Sequence, residues 1–505
     1  MLRASMKPAL ELMNCVWAAG TDGPPAARDA LVELEADVGL VSWNCMAHTL
    51  RRVAASVADA LQDDLTGPLE KLVWFVRELA PSGEALLRGC GDGVGNGPGA
   101  PRSYEETRAV GLYAAASRVV REYGKLRSIL RPSLYPARPW SSTNATSVEL
   151  SALVDGPAFA KRLKFFKAVL LAIFRAARVF DTPQGRFTNC FAYSGLNAAV
   201  ANVQRVCARA EFAANAQGVR EQDRLAVAQT IVRCWDVFHK PVNAAGFVLC
   251  HVHHEQLCRM LTADNEEFRT LLDNTADALC NAFRIWDPAA ASTRDGSQVP
   301  NDSCAVVQYR RLIVDALEAY VISDNEWSGF DWTDFHAHPE LTDPVHFWAL
   351  KAPRLSALRI PAARVVSLSV VIAGVEHVIR KADASGAHEG NCGLTFGNLE
   401  LVAAEQPPAA QPSWAQMVAS HEQVVATTPN DAGDEAWVDA LVAKWRASEE
   451  AAKASRRGYV DANAVPVVLD VPVQAPELSA RGRQRIKKVF GDAFVRADAG
   501  VPPVF

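Results

Sequence analysis

The sequence feature that most constrains the fold is an apolar stripe between residues 159 and 177. Apolar side chains recur there every three or four residues, at Phe159, Leu163, Phe166, Leu170, Ile173, Phe174 and Ala177. This spacing places them on one face of an α-helix, and such a face has to be buried. The helix is predicted to end within Phe180-Asp181-Thr182-Pro183, because the residue before a proline avoids the helical region. The stripe therefore predicts a helical core around this segment.

Other parts of the chain repeat the helical spacing. Helices are predicted at residues 69–87, 104–131, 198–214, 221–238, 261–283 and 306–321. Strand content is predicted only near the start, where residues 37–43 lead into a helix that has Asn44 as its N-cap and ends near Leu61. The predicted fold class is therefore mostly α.

Composition sets broad limits on function. The 505 residues are enough for several domains, and an apolar fraction of 49% predicts folded material over most of the length. A net charge of -5 argues against a wholly basic nucleic-acid coat, although a local basic patch can still bind DNA. The 11 cysteines include no Cys-x-x-Cys pair, which favours reduced thiols. The sequence shows no signal peptide and no membrane span, so no membrane partner is expected.

Cysteine and histidine occur together at two places in the chain. Cys45 and His48 supply two ligands where a structural zinc site needs four, which favours a packed thiol and a hydrogen-bonded imidazole. The second, denser group consists of Cys250, His251, His253, His254 and Cys258. It contains no second pair of metal ligands at zinc-finger spacing. Spacing alone therefore does not favour a metal site at either place.

A carboxylate in apolar surroundings marks the segment from 343 to 401. Residues 365–379 are apolar except for two serines, Glu376 and a histidine, and they predict a buried helix approached through Pro361. One interpretation makes Glu376 a ligand of a divalent cation, with partners from other segments. The other makes it a surface acid paired with Arg380, four residues later. The pattern alone favours the ion pair.

The order of several segments resembles successive landmarks of the hAT superfamily of transposases, over roughly residues 1–404. These landmarks are residues 44–50, Leu72-Val73-Trp74-Phe75, Thr107-Arg108, Phe159 through Asp181-Thr182-Pro183, Lys240-Pro241 through Leu249, and Phe347-Trp348 through Glu376. The family's Cys-x-x-His motif matches Cys45 and His48. The last landmark is similar to the hAT C-terminal dimerisation region.

This resemblance implies a fold and a domain order. The implied fold is mostly α, with a partial RNase H-like α/β core interrupted by a large all-helical insertion and followed by a disordered C-terminal tail. The implied domains are a truncated RNase H-like N-terminal part (1–100), a helical insertion domain (101–335), the hAT C-terminal dimerisation region that completes the core (336–404), and a low-complexity, largely disordered tail (405–505).

The chemistry that the resemblance implies is incomplete in this sequence. The family uses two Asp and one Glu around Mg²⁺ or Mn²⁺ to break and join phosphodiester bonds. Glu376 stands where the family has its Glu, but the place of the second Asp falls at about Met1 and the first would lie further upstream. Glu376 is therefore interpreted as vestigial and no cofactor is expected. Mg²⁺ or Mn²⁺ is the expected cofactor of an active form.

The expected function is that of a catalytically inactive, transposase-derived protein that retains dimerisation and DNA binding in the nucleus. The alternatives are an active DNA transposase whose N-terminal part is missing from the gene model, and a helical scaffold without a link to DNA. Cytoplasmic location is the alternative to the nucleus, and no small-molecule substrate is expected. The candidate DNA contacts are Arg108, Cys45 and His48, and the candidate dimer contacts are Phe347, Trp348, Leu355, Leu358, Leu394 and Leu399.

Overall fold

The structure is a computed structural model, and its described part is mostly α-helical, as the periodicity predicts. The described residues are 18–21, 41–78, 105–130, 142–180, 188–213, 218–262, 266–286, 303–321, 343–348, 356–368 and 414–425, together with residues 436, 438, 440 and 443. No helix within these ranges is both long enough and apolar enough to cross a lipid bilayer.

The strands of the described part are β1 (Ala18–Thr21) and β2 (Val41–Asn44). The helices are α1 (Met46–Ala60), α2 (Gly67–Glu78), α3 (Glu105–Arg121), α4 (Tyr123–Ile129), α5 (Ser142–Asp155), α6 (Pro157–Phe180), α7 (Ala192–Ala208), α8 (Glu221–Phe238), α9 (Pro241–Val248), α10 (His254–Thr262), α11 (Glu266–Trp286), α12 (Ser303–Val321), α13 (Ser356–Ser367) and α14 (Trp414–Val425). Single turns of other helix types lie at Gln62–Thr66, Asn189–Phe191, Ala210–Phe212 and His251–His253, and one α-turn lies at Pro344–His346.

The sheet of the described part consists of β1 and β2, which pair in parallel with Ala18 opposite Val41 and Thr21 opposite Asn44. β2 leads directly into α1, so the predicted change from strand to helix near Asn44 is confirmed. A two-stranded sheet is too small to define an RNase H-like core. That core stays a prediction.

The predicted helix boundaries are accurate in some places and wrong in others. α6 ends at Phe180 and α8 spans Glu221–Phe238, both as predicted. α7 begins six residues before the predicted start at 198, and the residues after it form a separate 3-10 turn. The predicted helix at 261–283 is divided between α10 and α11. Periodicity therefore identifies the helices better than it identifies their ends.

The predicted start of the helix at residues 365–379 is wrong. α13 begins at Ser356, contains Pro361 in its interior, and ends at Ser367. Directly after it, the carbonyl oxygen of Leu368 accepts a hydrogen bond from the backbone N–H of Asn189, at 2.8 Å. Residues 369–379, and Glu376 among them, lie outside the described residues.

The described residues form two compact units. Unit 1 takes its residues from Met1–Thr49, Ala176–Ala198 and Phe238–Thr427, and unit 2 from Leu50–Arg175, Ala199–Val237 and Thr428–Phe505. Residues 101–335, the predicted insertion domain, contribute to both units, and the predicted domain order stays a prediction. The segments of each unit are brought together by packing, which the chain order does not show.

The core of unit 1 is built on α9, which packs against α11, α13 and β2. Every residue of α9 from Val242 to Val248 is buried. Gly246 allows this close packing, because a Cβ atom there would lie 2.5 Å from both the carbonyl oxygen and the Nδ2 atom of Asn189. Asn189 in turn donates from Nδ2 to the carbonyl oxygen of Val242, at 2.6 Å.

α14 lies in the stretch that the sequence analysis assigned to a low-complexity tail. It is a helix of unit 1, and Trp414, Val418 and His421 on it are buried. These residues are spaced by four and then three positions, as expected for the buried face of a helix. The Ala- and Gln-rich composition around them concealed that pattern.

The core of unit 2 is built on α6, whose predicted apolar stripe is at most 3% exposed at every position. Beside it a buried ion pair joins Arg162 on α6 to Asp223 on α8 through two hydrogen bonds, of 2.7 and 2.9 Å. Arg220 also donates to Asp223, at 2.7 Å, and to Asp64, at 2.8 Å. Each charge of this network therefore has a partner of opposite sign.

Candidate functional site

A cavity of about 300 Å³ lies in unit 2 and is the strongest candidate for a binding site, and we call it the basic cavity. It is open to solvent on one side and is lined by α6, α7, the 3-10 turn Ala210–Phe212 and one residue of α3. Its lining residues are Val120, Lys164, Lys167, Ala168, Leu171, Ala172, Arg175, Asn202, Arg205, Val206, Arg209, Glu211 and Phe212.

The charge of the basic cavity is strongly one-sided. Its lining contains five cations, Lys164, Lys167, Arg175, Arg205 and Arg209, and a single carboxylate, that of Glu211. The carboxylate lies 3.7 Å from the Arg209 guanidinium. The sequence as a whole carries a net charge of -5, so the charge of this cavity is opposite in sign to that of the whole chain. Such a local positive field attracts anions.

Helical spacing explains how the cations come to line the same cavity. On α6 the lining residues Lys164, Lys167, Leu171 and Arg175 recur at intervals of three or four, and on α7 Asn202 and Arg205 are three residues apart, while Arg209 directly follows the end of α7. The residues on each helix therefore lie on one face of it. α6 carries six Lys or Arg residues and no Asp or Glu. Sequence reasoning used only the apolar stripe of α6 and missed this second, basic stripe beside it.

The surroundings of the cations are partly apolar. Phe212 is 6% exposed and packs edge-on against Phe165, with ring centroids 5.5 Å apart. The Lys167 ammonium lies 5.9 Å from the ring centroid of Tyr113, within range of a cation–π contact. Contact with rings and aliphatic side chains reduces the local screening of the charges by water.

Asn202 is the unusual polar group of the basic cavity. Its residue is 5% exposed, and neither atom of its side-chain amide has a hydrogen-bond partner in the described part of the chain. Buried amides are nearly always hydrogen-bonded, because an unpaired one loses its bonds to water without replacement.

The chemistry of the lining suits the binding of an anion. Its charged groups are Lys and Arg side chains together with the single carboxylate of Glu211. Lysine and arginine side chains are permanently charged in this pH range, and both form charge-assisted hydrogen bonds to phosphate or carboxylate oxygens. The arrangement can therefore hold an anion.

Two of the predicted DNA contacts are buried in unit 1. The Cys45 thiol and His48 imidazole are 1% and 7% exposed, and their Sγ and Nδ1 atoms lie 3.1 Å apart. The packed thiol and hydrogen-bonded imidazole favoured by the spacing are confirmed at this position. Arg108 lies on α3, but its side chain is outside the described residues. Neither Cys45 nor His48 is among the lining residues of the basic cavity.

The candidate dimer contacts divide into two groups. Phe347, Trp348 and Leu358 are fully buried by other residues of unit 1, and the Trp348 indole donates to the carbonyl oxygen of Leu249 at 2.7 Å. These side chains serve the core of their own chain. The other three candidate dimer contacts, Leu355, Leu394 and Leu399, lie outside the described residues. The candidate catalytic residue and metal ligand, Glu376, also lies outside them.

The histidines and cysteines between 250 and 258 have separate partners. His253 Nε2 lies 3.1 Å from the carbonyl oxygen of Cys190, and His254 Nε2 lies 2.9 Å from that of Tyr320. Burial, followed by the neighbouring imidazole of His421, holds the pKa of His253 well below its ordinary value. Within the described residues no three His, Cys, Asp or Glu side chains are grouped as a metal site requires.

Comparison of this chain with known protein families, with curated proteins and with solved structures gives no match. The resemblance to hAT transposases accordingly stays a prediction from the order of short segments. The basic cavity is independent of that resemblance, since it is defined by side chains that the structure brings together.

Proposed function

We propose that this protein binds DNA through the basic cavity and the basic face of α6, as a catalytically inactive, transposase-derived protein. The observation that carries the proposal is the set of five cations against one carboxylate in the cavity of an otherwise acidic chain. Phosphate contacts from Lys and Arg supply most of the affinity of non-specific DNA binding. A concentrated basic surface on a folded unit is the usual electrostatic signature of that role.

The transposase-derived part of the proposal rests on the sequence. The order of its landmark segments resembles the hAT superfamily, and a mostly helical chain with a strand leading into α1 is compatible with an RNase H-like core that carries a large helical insertion. Inactivity is proposed because Glu376 is the only residue of the family's Glu-Arg-x-Phe-Ser pattern that this sequence keeps, followed here by His377-Val378-Ile379-Arg380.

Self-association is the second part of the proposed function. Phe347, Trp348 and Leu358 are enclosed within unit 1, so we assign the dimer contact to Leu355, Leu394 and Leu399. Light scattering on the purified full chain tests this assignment, and we expect the mass of a dimer. A strictly monomeric protein at micromolar concentration argues against self-association and leaves the DNA-binding proposal untouched.

DNA binding is tested by fluorescence anisotropy of a labelled duplex against the full-length protein, over a series of salt concentrations. The double substitution Lys164→Gln and Arg205→Gln removes two cations from the basic cavity. Each lost phosphate contact is expected to reduce the slope of log affinity against log salt by about 1. We therefore expect weaker binding and a shallower salt dependence.

Arg259→Gln is the matched control, because Arg259 is a 72% exposed cation on α10 of unit 1 that pairs with Glu255. It removes one positive charge from the chain and none from the basic cavity. We expect its affinity and salt slope to equal those of the unmodified protein. Equal affinities for the control and the double variant contradict the proposal, and so does an affinity that is independent of salt.

A further inference from the structure

We propose that α14 is a detachable latch, which acid pH releases from unit 1 while the rest of that unit stays folded. The surface that it covers is formed by Phe191, Ser194, His251 and His253, and we call it the ring surface. α14 and the ring surface belong to unit 1 and the basic cavity belongs to unit 2, so the latch is independent of the proposed DNA binding.

α14 is attached through the side chains of one face. Trp414 stacks on Phe191, with ring centroids 5.3 Å apart and ring planes 23° apart. About two turns further along, His421 packs on the same ring at 4.6 Å. The opposite face is exposed to solvent, at Ala415, Gln416, Ala419 and Glu422. Because only one face of α14 is buried, the helix can leave by local opening, without opening of the core around α9.

The ring surface is held by contacts that do not involve α14. His253 stacks on Phe247 of α9, with ring centroids 4.4 Å apart, and its Nε2 atom lies 3.1 Å from the carbonyl oxygen of Cys190. His251 stacks on Phe347, with ring centroids 5.4 Å apart. These contacts remain when α14 leaves, so we expect the ring surface to keep its shape.

The hydrogen bond between His421 and Ser194 fixes the position of the ring proton. The Ser194 hydroxyl donates to the carbonyl oxygen of Phe191, at 3.1 Å, so its oxygen accepts the Nε2–H of His421, at 2.7 Å. The neutral ring then has its unprotonated nitrogen at Nδ1. A second proton adds a positive charge to a buried side chain, which is unfavourable, and burial lowers the pKa of His421 to about 4.

The titratable groups of the ring surface oppose the same charge. They are the imidazoles of His253 and His251, and the His253 ring centroid lies 5.4 Å from that of His421. Burial, followed by the His421 imidazole, lowers the pKa of His253. Glu422, the carboxylate next to His421 in the chain, lies on the exposed face of α14. Protonation of either ring therefore opposes protonation of the other.

Release of α14 returns the His421 imidazole to water, where its pKa is about 6.5. The docked state favours the neutral ring and the released state favours the protonated one. Docking is therefore fully present above pH 6.5 and weakens as the pH falls towards 4. Each pH unit in this window changes the docking equilibrium by up to about 10-fold for one histidine.

Hydrogen–deuterium exchange of the full-length protein at pH 7 and pH 5, followed by mass spectrometry, tests the latch. The rates are corrected for the pH dependence of intrinsic exchange. We expect peptides from α14 to lose at least about 10-fold in protection at pH 5, while peptides from α9 keep theirs.

Three variants assign the effect. His421→Phe keeps a ring against Phe191 and cannot be protonated, so its loss of protection between pH 7 and pH 5 should be about 10-fold smaller. Glu422→Gln is the matched control, because it removes a titratable group from the exposed face of the same helix, and its loss should equal that of the unmodified chain. Val418→Ala truncates a buried contact of α14, so it should lower the protection of α14 at both pH values and leave the protection of α9 unchanged.

Selective loss of protection in α14 at pH 5, reduced by His421→Phe and retained by Glu422→Gln, supports the latch. Joint loss of protection in α14 and α9 would show that α14 is part of the core and would overturn it. So would equal protection of α14 at the two pH values, or equal losses in His421→Phe and Glu422→Gln. If His421→Phe does not fold, Val418→Ala decides, because a joint loss of protection in α14 and α9 of that variant also overturns the latch.

Discussion

The two units bury polar groups in different ways. In unit 1 they include imidazoles that are hydrogen-bonded to backbone carbonyl oxygens, as His253 is to Cys190 and His254 is to Tyr320. In unit 2 they include the paired charges of Arg162 and Asp223, and the same unit carries the cations of the basic cavity, of which Arg175 is buried and Lys164 is exposed. A dense group of potential ligands in the sequence is therefore compatible with a purely structural role. The unbalanced charge of unit 2 is the stronger indication of binding.

The largest expected effect concerns the buried ion pair of unit 2. Burial alone raises the pKa of the Asp223 carboxyl, but hydrogen bonds from Arg162 and Arg220 outweigh it and hold the pKa below its ordinary value. Asp223→Ala leaves the Arg162 guanidinium buried without its carboxylate, so we expect a loss of about 3–5 kcal/mol in the free energy of unfolding. Urea unfolding followed by circular dichroism measures this loss.

An exposed ion pair of unit 1 is the matched control. Arg310 donates to Asp277 at 3.1 Å, and the two side chains are 40% and 54% exposed. Solvent screens such a pair, and Asp277→Ala is expected to cost less than about 1 kcal/mol. Similar losses for the two substitutions would contradict the distinction between the buried charges of unit 2 and the exposed ones of unit 1.

The second effect is the acid sensitivity of unit 1. His421 on α14 packs against Phe191, with ring centroids 4.6 Å apart, and its Nε2 lies 2.7 Å from the Ser194 hydroxyl. Burial lowers the pKa of His421 from 6.5 to about 4. The folded state therefore favours the neutral ring, so stability is fully present above pH 6.5 and is lost as the pH falls towards 4. A shift of this size corresponds to about 3 kcal/mol.

His421→Phe tests this linkage, because phenylalanine keeps the ring contact and cannot be protonated. At pH 7 we expect a loss of about 1 kcal/mol for the hydrogen bond to Ser194. Between pH 6.5 and 4 the variant should lose less stability than the unmodified chain. Asp223 titrates below its ordinary value of 3.8 and therefore does not interfere in this window. An unchanged pH dependence in His421→Phe would exclude His421 as the acid-sensitive group.

Much of the helical architecture was predictable from the sequence, because one face of a buried helix repeats every three or four residues. The stripe on α6 and the ends of α8 follow directly from that rule. The contact of Leu368, just after α13, with Asn189 does not follow from it, because these two residues are far apart in the chain. Periodicity contains no information about contacts of this kind.

The candidate site was less predictable than the fold. Lys164 and Arg175 lie on α6, whose clearest sequence pattern is its apolar face. Charges on the other face of such a helix are usually solvated. Their opposition to Arg205 across a cavity depends on how α6 and α7 pack. The unpaired amide of Asn202 is likewise a property of the packed structure. A run of cations without acids on α6 was the one signal available in the sequence.

The third-largest expected effect comes from the close packing around α9 in unit 1. Gly246→Ala places a methyl group 2.5 Å from the backbone oxygen of Asn189, and that oxygen cannot move easily because Asn189 is hydrogen-bonded on both its backbone and its side chain. We expect a loss of about 1–3 kcal/mol from overpacking. Gly124→Ala in α4 of unit 2 is the control, since nothing lies within 4 Å of its added methyl group.

The control substitution Gly124→Ala should instead increase the free energy of unfolding, because alanine in an open helical position stabilises by up to about 1 kcal/mol relative to glycine. Urea unfolding of the two variants under the same conditions compares them directly. Equal stabilities for Gly246→Ala and the unmodified protein would show that α9 and Asn189 are packed less tightly than the structure indicates.

The smallest expected effect concerns His48 and tests whether it is a structural residue or a DNA contact. His48 is 7% exposed, and its Nδ1 atom lies 3.1 Å from the Cys45 thiol. His48→Gln is expected to reduce the free energy of unfolding by about 1 kcal/mol, which is the usual value of one hydrogen bond. Its affinity for labelled duplex DNA should equal that of the unmodified chain, because a buried side chain cannot reach a phosphate. A loss of DNA affinity without a loss of stability would restore His48 as a DNA contact and move the interface from unit 2 to unit 1.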